Sequence, residues 1–220
     1  MRRVLVLRPE PGASATVKRA RECGLDAAEA PLFEIEAVPW DAPDCAGFDA
    51  LLITSANAVR CAGAQLEKFR SLPVYAVGEM TSQAARERGL AIAATGNRGV
   101  DQLIDCIPSN LRLLHLCGED RWAPSDRGGI AVVPVYRASE VVQPDLSLAK
   151  GAVILVHSPR AGRRLAQLVK DRGDILIAAI SPAAAKASGA GWEAVEAAGE
   201  PSDDALLALA ARLCNKPVPK

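Results

Sequence analysis

The sequence is short of most features that mark a specialised class. Aromatic residues make up only 4% of its 220 positions, so stacked rings do not build the core. Half of the residues are apolar, and alanine supplies much of that half. Such a composition favours close helix packing against a sheet and suffices for one large domain or two small ones. A basic excess is missing: Lys and Arg number 26 against 26 Asp and Glu, which argues against a wholesale polyanion binder but leaves a local basic patch open. The apolar run Val4–Leu7 behind Arg2 and Arg3 falls short of the roughly 7–15 residues of a signal core, and no run approaches the ~20 of a membrane span. No CxxC pair occurs. Cys23, Cys45, Cys61, Cys106, Cys117 and Cys214 read as buried small hydrophobes in a reducing compartment. The expectation is a soluble, cytoplasmic protein that binds neither nucleic acid nor membrane.

Cofactor fingerprints are missing as well. No GxGxxG follows Leu7 or any other apolar run, no GxxxxGK[ST] occurs, and Gly96-Asn97-Arg98-Gly99 is too weak to stand for either. The only histidines, His115 and His157, sit in or at the end of apolar runs and read as satisfied core or cleft residues. No Asp/Glu cluster has the spacing of metal ligands. Neither a metal nor a cofactor is expected. A serine nucleophile is disfavoured too. No GxSxG elbow occurs, and His157 cannot serve its neighbour Ser158, because adjacent strand residues face opposite ways.

What is present is a strand–helix junction and its echo. Leu51-Leu52-Ile53-Thr54-Ser55-Ala56-Asn57-Ala58-Val59 is an apolar run that stops at Thr-Ser and turns helical, through Phe69, with Ala58, Ala62 and Leu66 on one face. Val153-Ile154-Leu155-Val156-His157-Ser158-Pro159-Arg160-Ala161 repeats it, Ser158 lying 103 residues after Ser55 (158 − 55). Gly78 and Ser181 begin a second pair of matching turns at the same offset. Between these anchors strands and helices alternate: a strand Val4–Leu7, a helix capped by Ser14 and closed by Gly24, a strand Ala27–Leu32, a helix Arg160–Arg172, and a last helix capped at Ser202. The segment after Asn215, with two prolines, reads as a frayed tail.

The unit Arg3–Leu7 resembles Arg112–Leu116, yet it comes first in one half and last in the other. One domain interrupting a like domain explains that order. The fold class is therefore α/β: two similar doubly wound parallel-sheet domains, one made of residues 1–36 plus 141–220 and the other of 40–136. Mixed segments near 34–39 and 137–142 form a two-stranded antiparallel linker between them. A cleft between the domains is the expected ligand site. Helices opening after Ser55, Gly78, Gly118, Ser158 and Ser181 would present free N–H groups and positive dipole ends to a ligand rich in carboxylates or phosphates. Tyr136, closing the run Val132–Val135, is either a packing residue at the junction or a proton donor.

These residues in this order resemble the uroporphyrinogen-III synthase family. The likeness rests on Leu7-Arg8-Pro9, Thr54-Ser55-Ala56-Asn57, Ala76-Val77-Gly78 with Thr81, Leu116-Cys117-Gly118, Val135-Tyr136, His157-Ser158-Pro159-Arg160 and Ile180-Ser181-Pro182. It implies two α/β domains on a two-stranded linker, and a cofactor-free hydro-lyase of tetrapyrrole (haem, chlorophyll, cobalamin) biosynthesis. Linear hydroxymethylbilane, with eight carboxylates, would lose its terminal hydroxyl as water and close with its last pyrrole ring inverted to uroporphyrinogen III. The resemblance makes Tyr136 the candidate acid, and Arg8, Thr54, Ser55, Asn57, Gly78, Thr81, Gly118, Ser158, Arg160, Ser181 and Ala183 the substrate-binding positions. Two departures stand out. Asn57 occupies a place held by arginine in some members, for which Arg160 or Arg121 would compensate. Ala183 and Ala184 replace two threonines, which leaves binding there to the backbone. A monomer is implied, with room for transient contact with the enzyme that supplies its substrate. The alternative from another class is a two-domain binding protein for a small polyanion, which closes on its ligand without turnover.

Overall fold

The computed structural model describes residues 1–96, 99–120 and 128–215. The chain divides into two compact units, residues 1–34 with 140–220 and residues 35–139. Arg121, Asn97, Arg98 and the tail beyond Asn215 lie outside the described residues.

The first unit holds a five-stranded sheet. Its strands are β1 (Val4–Val6), β2 (Ala27–Glu29), β9 (Val153–Val156), β10 (Leu176–Ala179) and β11 (Ala194–Ala197), in the order β11-β10-β9-β1-β2. All are parallel, with Val4 opposite both Ala27 and Val153, and Leu176 also opposite Val153. Strands β1, β9 and β10 are buried on both faces, which is why they read as unbroken apolar runs. Helices α1 (Gly12–Glu22) and α7 (Asp203–Cys214) cover one face, packing Val17, Ala20, Leu206 and Leu213 on Val4, Val6, Leu155 and Leu176. Helices α5 (Pro159–Leu168) and α6 (Pro182–Ser188) pair with each other. Their approach is close enough that a Cβ on Gly162 would sit 2.8 Å from Ser188 Oγ. Small side chains thus set helix spacing here, as the alanine-rich composition suggests.

The second unit repeats the order. Strands β3 (Phe33–Ala37), β4 (Ala50–Ile53), β5 (Val74–Val77), β6 (Ile92–Gly96), β7 (Leu113–Gly118) and β8 (Ile130–Glu140) run β3-β8-β7-β4-β5-β6. Dropping β3 leaves five parallel strands whose order, by position in the repeat, matches that of the first sheet: β4, β5 and β6 answer β9, β10 and β11, and β7 and β8 answer β1 and β2. Helices α2 (Ala56–Cys61) and α3 (Glu79–Glu87) pack one face of this sheet, and α4 (Val100–Asp105) the other. Strands β3 and β8 are antiparallel. Val38 N–H meets Val135 O while Val141 N–H meets Leu32 O.

Several local expectations need correction. The helix expected over Ala56–Phe69 stops at Cys61. Gly63 takes φ +66°, and residues Gly63–Phe69 wind as a 3₁₀ turn that still buries Leu66 and Phe69 at its three-residue repeat. Ser14 does not cap α1. The helix begins at Gly12, with the N–H groups of Gly12 and Ala13 bonded to Pro9 O, and the Ser14 hydroxyl donates to the Glu10 carboxylate. The second strand ends at Glu29 rather than Leu32, and α5 ends at Leu168, four residues short of Arg172. The helix expected to open after Gly118 falls largely on residues 121–127, outside the described residues. The segment expected to switch to a separate linker strand after Tyr136 is instead one continuous strand, β8, with Tyr136 inside it. Of the six cysteines, only Cys117 and Cys214 are buried; all six are free thiols, Cys23 and Cys106 exposed.

Candidate functional site

In the second unit the carboxyl ends of β4 and β7 and the middle of β8 gather Thr54, Ser55, Gly118 and Tyr136. Ser55 leaves β4 in an extended conformation and caps α2, its hydroxyl accepting from Asn57 N–H at 3.2 Å. Thr54, one residue earlier, pairs with His115 of β7, Oγ1 to Nε2 at 3.1 Å. His115 is fully buried, so the turn is tied to the sheet interior from beneath. The Tyr136 ring lies across Gly118, and Ser55 is a hydrogen-bonding partner of its phenol. Burial pushes the phenol's pKa above the usual tyrosine value; the Ser55 bond opposes this, and negative charge at Cys117, Cys61 or Asp120 would push it further. The phenol therefore holds its proton across the neutral range, as a donor must.

Other residues of this unit take varied places. Gly78 has φ +81°, a conformation that disfavours any side chain, and starts α3, its carbonyl accepting from the N–H groups of Thr81 and Ser82. Thr81 is buried. Asn57 is half-buried, its Oδ1 accepting from Arg60 at 3.3 Å.

In the first unit the same strand ends carry a charged cluster. Arg8 follows β1, His157 and Ser158 follow β9, and Asp203 opens α7. Asp203 is the hub. Its carboxylate accepts from Thr16 Oγ1 at 2.9 Å, His157 Nε2 at 3.1 Å, Arg19 at 3.2 Å and Arg8 at 3.3 Å. Burial alone would raise its pKa, but the bonds from His157 and Thr16 and the charge of Arg8 prevail and bring it down to about 2. His157 is pushed below the usual histidine value by burial, against the pull of Asp203, and is neutral at pH 7. Arg8 keeps 36% of its side chain exposed and lies so close over the start of α1 that a Cβ on Gly12 would meet its guanidinium.

Two serines beside this cluster cap helices. Ser158 Oγ accepts from Ala161 N–H at 3.1 Å, and Ser181 Oγ from Ala184 N–H at 3.3 Å. Each is followed by a proline, Pro159 or Pro182, which carries no N–H, and the Gly162 and Ala185 N–H groups bond back to the Ser158 and Ser181 carbonyls. Ala183 is exposed in the first turn of α6. Arg160 lies 4.5 Å over the Phe33 ring. Because a cap of this kind is worth roughly 1 kcal/mol, Ser158→Ala lowers stability by about that amount, read as a shift in the urea midpoint at unchanged slope.

Thus Thr54, Ser55, Gly118 and Tyr136 come together in one unit, and Arg8 and Ser158 in the other. Sequence reasoning missed Asp203 and Thr16 as partners of Arg8, and Arg19 as a further donor to Asp203. Asp203 stood only as part of a capping run, and its partners lie up to 195 positions away. Among the described residues no three His, Cys, Asp or Glu side chains gather as metal ligands would, and no helix is long and apolar enough to cross a membrane.

Comparison with known proteins is consistent across sequence and fold. The family model described as "Uroporphyrinogen-III synthase HemD" matches residues 14–208. A uroporphyrinogen-III synthase of Chlorobaculum parvum is 32% identical over 101 residues, a match that spans 42% of this chain and only 41% of that protein. The solved uroporphyrinogen-III synthetase of Helicobacter pylori 26695 superposes with a TM-score of 0.68 at 18% identity, covering 97% of this chain and all of the other. A mutant uroporphyrinogen III synthase of Thermus thermophilus gives 0.55 at 17% identity, covering 98% and 100%. At these identities the structures speak for the fold.

Proposed function

The chain belongs to the uroporphyrinogen-III synthase family, and from that premise we propose that it closes hydroxymethylbilane to uroporphyrinogen III, as a hydro-lyase without metal or cofactor. The observation that carries the reading is the Tyr136 phenol. It sits beside the carboxyl ends of β4 and β7, partnered by Ser55 and with its proton retained by burial. Departure of the substrate's terminal hydroxyl as water needs a proton, and the retained phenolic proton supports Tyr136 as its donor. The carbon left electron-poor joins the last pyrrole, whose bond to the chain breaks and is remade at its other α-carbon so that the ring is inverted, and the α-proton released there balances the one consumed.

Carboxylate binding falls to the strand ends of each unit. In the first, Arg8 and the positive dipole end of α5 supply positive potential; in the second, the N-terminal ends of α2 and α3 do. Arg8 is held in place by Asp203, so it meets a carboxylate with little ordering cost. Six free thiols, two of them exposed, favour a reducing, cytoplasmic setting.

The direct test mixes purified protein with freshly made hydroxymethylbilane and resolves the product isomers. Type III product in excess is expected. Only the spontaneous type I isomer would sink the reading, and ligand binding without turnover would favour a binding protein instead.

A further inference from the structure

Gly118 stands among the substrate-binding positions that the family resemblance implies, but its geometry says something more specific. Strands β7 and β8 pair residue for residue from Leu113 with Ile130 to Cys117 with Pro134; then the register slips, and Gly118 pairs with Tyr136. The skipped residue, Val135, is fully buried against Leu114 and Leu116. A bulge of this kind re-aims the side chain that follows it. Here that side chain is Tyr136, and its ring comes down on Gly118. A Cβ built on Gly118 would lie 2.8 Å from Tyr136 Cζ, 3.0 Å from Cε2 and 3.1 Å from the phenol oxygen. No positive φ demands glycine at this position. What demands it is the ring.

We propose that Gly118 is a positioning residue: its missing side chain is the seat that sets the Tyr136 phenol beside Ser55, and any larger residue displaces the acid from its working place. This rests on the reading of Tyr136 as proton donor. A methyl group at 118 must push the ring away by on the order of 1 Å to restore ordinary contact, and misplacement on that scale can cost about 10²-fold in rate. Ser55 then loses its partner, and the phenol moves towards solvent.

The test is a cycle of Gly118→Ala, Tyr136→Phe and the double variant. Gly118→Ala is expected to lower kcat by roughly 10–100-fold with product affinity within about twofold, and to cost nothing further once Tyr136 is Phe. Full additivity, or an unchanged kcat, overturns the proposal, because a backbone contact with substrate would be lost in either background. Ultraviolet titration of the phenols, compared between the parent and the variant, gives an independent reading. Gly118→Ala should bring the Tyr136 pKa down towards the ordinary value, and an unmoved titration counts against the seat. If Tyr136→Phe itself turns over normally, the acid role fails while the titration still decides whether Gly118 seats the ring. Should Gly118→Ala fold poorly, Gly118→Ala with Tyr136→Val removes the clash and restores the fold; no recovery overturns the contact.

Discussion

Tyr136→Phe lowers kcat by about 10²-fold or more while product affinity changes by less than about twofold. General acid catalysis contributes roughly 10²–10⁴-fold, and the substitution removes only the phenolic hydroxyl, leaving the ring on Gly118. The isomer ratio is a second readout. Slow enzymatic closure lets the spontaneous type I reaction compete, so the type III fraction falls as well as the rate. The pH profile follows from the direction of the phenol's shift. Because its pKa is raised and the protonated form is the working one, Tyr136 imposes no loss near neutrality and lets activity fall only as pH rises through that raised value. A variant with wild-type rate removes Tyr136 from the mechanism.

The second large effect lies in the other unit. Asp203→Ala destabilises the protein by about 2–3 kcal/mol, because four donors, from Thr16, His157, Arg8 and Arg19, lose one shared acceptor. The figure sits below the full cost of breaking a buried pair because Arg8 and Arg19 are each more than one-third exposed and recover water. Asp203→Asn should fall between, since an amide oxygen replaces part of the acceptor capacity. The acid limb of stability carries the same signature. Asp203 has a folded pKa of about 2 against an ordinary 3.8, so its contribution is complete above about pH 4 and is lost as pH falls towards 2. His157, also depressed, acts in the same sense but earlier: its contribution begins to go below about pH 6.5, where the unfolded chain takes up the proton that the folded one refuses. Urea midpoints measured from pH 7 to pH 3 should decline in the parent and flatten in their lower part in Asp203→Ala. An equally steep lower limb in the variant would assign acid lability elsewhere.

What could be read from residues alone follows the range of the forces involved. Strand–helix alternation and the echo of Leu51–Val59 at Val153–Ala161 are local patterns, and the equivalent strand orders of the two sheets follow from repeating them. Ser55, Ser158 and Ser181 were legible as helix starts because a start is decided within three or four residues. The break at Gly63 was not, because an alanine-rich stretch with a helical face conceals a single left-handed glycine. Nor was the register slip at Gly118. A bulge depends on what Tyr136 must do across the strand, and no run of residues announces it. The Asp203 cluster joins the two ends of the chain, and only the closed sheet brings them together.

That joining has a consequence during synthesis. Strand β1 emerges early and occupies the middle of its sheet, between β2 and β9, yet β9 begins only at Val153. The unit of residues 35–139 is continuous and can fold as soon as it clears the ribosome, while Val4–Leu7, wholly apolar and wholly buried in the end, waits without its neighbour. At about 5–20 residues per second that wait lasts roughly 7–30 s, an interval in which a nascent-chain chaperone has a defined segment to shield.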